Sequence, residues 1–108
     1  MTTVKYLVEK CKIVAGLRRL VLDVLKPHEP SNIILALRLS EIENVEGVNL
    51  SLSEMDQNTE TLKITIVGNN MDFEKIKKAI EDLGAVIHSV DEIVAGNVII
   101  ERVKTEQD

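Results

Sequence analysis

Apolar residues recur at every second position in some stretches of this chain and at every third or fourth in others. The order in which the two periods alternate is the strongest constraint on its fold. Leu20, Leu22 and Val24 alternate with Arg19, Val21, Asp23 and Leu25, which predicts a strand over residues 17–26. Val48, Leu50 and Leu52 alternate with Asn49, Ser51 and Ser53, and Leu62, Ile64 and Ile66 with Lys63, Thr65 and Val67. The polar Asp56-Gln57-Asn58-Thr59 between those runs makes them a hairpin. Helical spacing governs residues 31–44, through Ile33, Ile34, Leu35, Leu37, Leu39 and Ile42. It returns in Phe73, Ile76, Ala79, Ile80 and Leu83, with Asn70 or Asp72 as the cap, Gly68-Asn69-Asn70 as a turn leading in and Gly84 as the stop. Residues 85–94 predict a fourth strand, Ala95-Gly96-Asn97 a turn, and Val98–Val103 a short fifth strand.

The order strand, helix, strand, strand, helix, strand is α+β, the ferredoxin-like βαββαβ sandwich. Right-handed crossovers place the third strand between the first and second, and the fourth on the other side of the first, antiparallel to it. Residues 17–108 then form a single domain, of a size that folds without metal or disulfide staples. Residues 1–16 read as an added amphipathic helix, with Val4, Leu7, Val8, Cys11 and Val14 on one stripe. One Tyr, one Phe and no Trp mean that the core is aliphatic.

Charge and cysteine content narrow the partners. A formal net charge of −5 disfavours nucleic acid and anionic membranes and favours cations. The strands expected at the sheet centre carry no aromatics on which bases would stack. One cysteine allows no internal disulfide, no signal-like segment precedes it, and no apolar run is long enough to span a bilayer, so a reducing cytoplasm is expected. The CxxC of copper-transfer domains is absent from the first strand-to-helix turn, where this chain has Pro27-His28-Glu29-Pro30.

That turn is the expected place for chemistry, because it joins a strand end to a helix start. In the expected topology its His28 and Glu29 lie near the start of the fourth strand. A divalent cation bound by His28, Glu29, His88 and Asp91, or Glu92 in its place, is therefore geometrically allowed, although no local spacing enforces it. The alternative is that His28 completes a turn and His88 is a polar strand residue. Asp23, a carboxylate in an apolar strand, needs a partner such as Arg19 or Lys63, or contacts a ligand. Glu54, Asp56, Asn58 and Glu60 lack the loop length and central glycine of a calcium loop and read as a solvated turn.

The runs Leu22-Asp23-Val24-Leu25-Lys26-Pro27-His28-Glu29-Pro30, Val45-Glu46-Gly47-Val48-Asn49 and Ile87-His88-Ser89-Val90-Asp91-Glu92 resemble an uncharacterised archaeal family. It is catalogued as domain of unknown function two hundred and eleven. The resemblance covers about residues 17–108 and implies a ferredoxin-like fold, homo-oligomers and an archaeal source, with no activity attached.

Three functional readings follow. The first is a non-enzymatic, homo-oligomeric module, with a regulatory role open to it, that binds a small ligand or cation through Asp23, His28, Glu29, His88 and Asp91. The second is a metal-dependent enzyme built on the histidine and carboxylate set, with a divalent ion as cofactor. The third is a purely structural oligomer, which the wide apolar arc of residues 31–44, the open sheet face with Val21, Leu25 and Val67, and Val98-Ile99-Ile100 all favour.

Overall fold

A computed structural model describes residues 16–97, 99 and 101. The elements run β1 (Leu17–Pro27), α1 (Asn32–Ser40), β2 (Val45–Met55), β3 (Thr59–Met71), α2 (Phe73–Asp82) and β4 (Val86–Ala95). The four strands form one sheet in the order β2-β3-β1-β4, and every neighbouring pair is antiparallel. The α+β class and the expected strand order therefore hold. The helix expected over 1–16 and the fifth strand expected over 98–103 lie outside the described residues, save for Gly16, Ile99 and Glu101.

Alternation decides which side of the sheet the helices cover. Leu20, Leu22 and Val24 of β1 face the same side as Leu62, Ile64 and Ile66 of β3, and each is at most 2% exposed. Leu35 and Leu39 of α1 and Ile76 and Ile80 of α2 close that layer from above. Each such side chain contributes about 1.5–3 kcal/mol by leaving water. Ser31 caps α1, its hydroxyl accepting from the Ile34 amide at 3.3 Å, and the Asp72 carboxylate caps α2 by accepting from the Glu74 amide at 3.0 Å.

Several boundaries differ from the sequence reading, and two of them meet at one contact. The first helix ends at Ser40 rather than at residue 44, and Asn44 takes a left-handed φ of 74°. Its carbonyl accepts from the Asn69 amide at 3.0 Å and would lie 2.0 Å from any Cβ at position 68. Gly68 thus marks a close approach of the turn after α1 to a continuing strand. The Gly68-Asn69-Asn70 stretch expected to be a turn is the last part of β3, with Met71 opposite Leu17.

Candidate functional site

The end of β1 is organised around a buried ammonium. Lys26 follows the same alternation as Leu20, Leu22 and Val24, so it points into the helix-covered side, and it is 0% exposed. Its Nζ donates to the carbonyls of Pro27 at 2.7 Å, His28 at 3.3 Å and Pro30 at 2.5 Å. Composition explains the match. Two prolines leave the turn with carbonyls but few N–H groups, and an ammonium has three donors and no acceptor.

Glu60 lies opposite Lys26 in the β1–β3 register, in phase with Leu62, Ile64 and Ile66, and is also buried. One of its oxygens, Oε1, sits 3.7 Å from Lys26 Nζ and accepts no hydrogen bond among the described residues. The other, Oε2, is 2.9 Å from His28 Nδ1. His28 Nε2 in turn lies 3.1 Å from the Asp56 carbonyl and 2.9 Å from that of Gln57, in the turn between β2 and β3. The hydrogen bond to Glu60 holds the His28 imidazole above its ordinary proton affinity, and the same bond holds the Glu60 carboxyl below its own.

His88 is placed elsewhere. It lies on the face of the sheet that no helix covers and lines an open pocket of about 240 Å³ with Asp23, Leu25, Glu54 and Thr61. Asp23 stands directly across from Lys63, whose ammonium is bonded to Asp91. Asp91 also accepts from the Ser89 hydroxyl at 2.7 Å, and the Lys63 contact is the main reason its carboxyl is held below the usual range. Arg19, the other partner expected for Asp23, instead binds Glu92 at 3.0 Å and Glu101 at 3.0 Å.

The residues expected to share one cation are therefore divided. His28 is occupied by Glu60 and two carbonyls, Glu29 is exposed, Asp91 is paired with Lys63, and His88 lines the pocket with Asp23. Among the described residues no three His, Cys, Asp or Glu groups are placed to hold a metal ion. Strand pairing does bring the two regions near each other, with Leu25 opposite Val86. The two imidazoles nevertheless take up different partners, which one-dimensional spacing does not show.

Sequence reasoning missed Lys26 and Glu60. It read the lysine only as the last residue of a strand and the glutamate as part of a solvated turn. A signal existed in both cases. Each charge occupies a position that the alternation of its strand assigns to the core, and a buried lysine in register with a buried glutamate is the arrangement such charges require.

Known proteins resemble this chain over most of its length. The model of the DUF211 family, described as an uncharacterized ArCR, matches residues 18–108. An uncharacterized protein of Methanocaldococcus jannaschii is 55% identical over 93 residues, spanning 86% of this chain and 96% of that protein.

Proposed function

Because the chain belongs to this uncharacterized, archaeal-type DUF211 family, whose description carries no activity, we propose a function from its surfaces: a non-enzymatic, self-assembling module that binds a small organic cation on its open sheet face. The observation that supports this reading is the pocket of Asp23, Glu54 and His88 around Leu25 and Thr61. Two carboxylates favour a positive ligand, as does the chain's net charge of −5. Leu25, 43% exposed, offers an apolar floor for a short alkyl stem. The carbonyls of the Pro27–Pro30 turn supply no such site, because Lys26 already fills them with the chain's own cation.

The test is a titration with butane-1,4-diammonium followed by amide NMR. Shifts confined to Asp23, Leu25, Glu54, Thr61 and His88, weakened about tenfold in Asp23→Asn, support the reading. A spectrum unmoved at millimolar ligand rejects it. A purely structural oligomer is the second reading, favoured by the exposure of Ile33 and Leu37, at 72% and 59%, on α1.

A further inference from the structure

We propose that His28 is a proton-operated clasp: as an imidazolium it fastens the turn after β1 to the turn between β2 and β3, and on losing a proton it releases that second turn. The geometry requires the charged ring. Nε2 faces two backbone carbonyls, at 3.1 and 2.9 Å, and a carbonyl only accepts. Nδ1 faces a carboxylate oxygen at 2.9 Å. A neutral imidazole carries one proton, so either tautomer turns a lone pair towards an oxygen. Moving the missing proton onto Glu60 is opposed by the Lys26 ammonium 3.7 Å from that carboxylate.

The charged surroundings of the ring all bear on this balance. From β3 it meets Glu60, with Lys26 of β1 behind that carboxylate. The turn between β2 and β3 presents the carbonyls of Asp56 and Gln57. Glu29 adds an exposed carboxylate in the histidine's own turn, and α1, packed beyond it, contributes the uncharged Asn32. Glu60 touches the ring directly while Lys26 stands behind that carboxylate, which favours the imidazolium. The His28 side chain is 37% exposed, so protons exchange with solvent without unfolding.

The clasp is removable because the turn projects beyond the last rung of the β2–β3 ladder, Met55 opposite Glu60. Residues 51–58 are all exposed, and the turn is closed by one backbone bond, from the Asp56 amide to the Thr59 carbonyl at 2.8 Å. Deprotonating His28 either turns a lone pair to the Asp56 and Gln57 carbonyls, which breaks the anchor outright, or turns one to the Glu60 carboxylate, which repels the ring that carries the anchor.

The experiment is an NMR titration of both imidazoles in the unmodified protein, with His88→Gln used to assign them, alongside amide exchange of Asp56. The expected result is a His28 midpoint above 6.5, moved towards 6.5 in Glu60→Gln. The protection of the Asp56 amide, corrected for intrinsic exchange, should fall about tenfold across that same midpoint. A His28 midpoint at or below 6.5, or Asp56 protection that does not change through the titration, overturns the proposal. The wild-type titration decides the matter even if Glu60→Gln fails to fold.

Discussion

Lys26 is the residue whose removal should cost most for its size. Replacing it with methionine keeps an unbranched, apolar stem but withdraws the donors from the carbonyls of Pro27, His28 and Pro30 and leaves Glu60 without its neighbouring ammonium. Breaking a buried charge pair from one side costs about 3–5 kcal/mol. Urea denaturation of Lys26→Met should show a loss of that size, and a change under about 1 kcal/mol would mean that the ammonium is not needed there. The neighbouring His28–Glu60 contact sets how stability varies with pH. His28 has a raised folded-state pKa, so its share is complete below 6.5 and is lost as pH rises through the folded value. Glu60 has a lowered one, so its share is complete above 4.5 and is lost as pH falls through the folded value. Denaturation midpoints should therefore decline on both sides of a mildly acidic plateau lying between 4.5 and 6.5, and His28→Gln should remove the decline above it. Local alternation carried the inward placing of positions 26 and 60, although the sequence reading did not use it. It did not reveal that the proline-rich turn would curl three carbonyls around one of them, because that depends on backbone geometry that no side-chain pattern records.

Among the elements, α1 is short and more apolar than its packing requires. Leu35 and Leu39 are fully buried, whereas Ile33 and Leu37, one turn apart on another side, stand 72% and 59% exposed. Leu52 and Met55, at 49% and 60%, extend the apolar surface on β2, the strand over which α1 packs. If the chain assembles through this side, Leu37→Asp should convert an oligomer to monomer in light scattering without lowering the unfolding free energy by more than about 1 kcal/mol. An oligomer of unchanged size in that variant would place the contact elsewhere. The elements were the most legible part of the sequence, since helical and strand periods are local properties. Their ends were less so. The turn after α1 and the length of β3 are fixed together by the carbonyl of Asn44 lying against Gly68, a contact between residues distant in sequence. The glycine was visible, but it reads equally as a turn or as a place of close approach.

At the scale of the molecule, the topology followed from element order and crossover handedness, and the placing of His28 apart from His88 did not. Strand pairing puts the end of β1 beside the start of β4, as the sequence suggested. Side-chain direction then sends one histidine towards Glu60 and the other onto the open face with Asp23. Among the described residues no helix is long and apolar enough to cross a membrane.

The pairing order also sets a sequence of events in time. β2 and β3 are joined by a short turn and close as a local hairpin, whereas β1 reaches β3 only after α1 and β2 have been spanned, and β4 can dock only on a β1 already in place. The hairpin is thus the natural nucleus and β4 the last strand to arrive. Leu50→Ala should chiefly slow refolding, while Ile87→Ala should chiefly speed unfolding, and stopped-flow kinetics showing the reverse partition would place the nucleus at the other edge of the sheet.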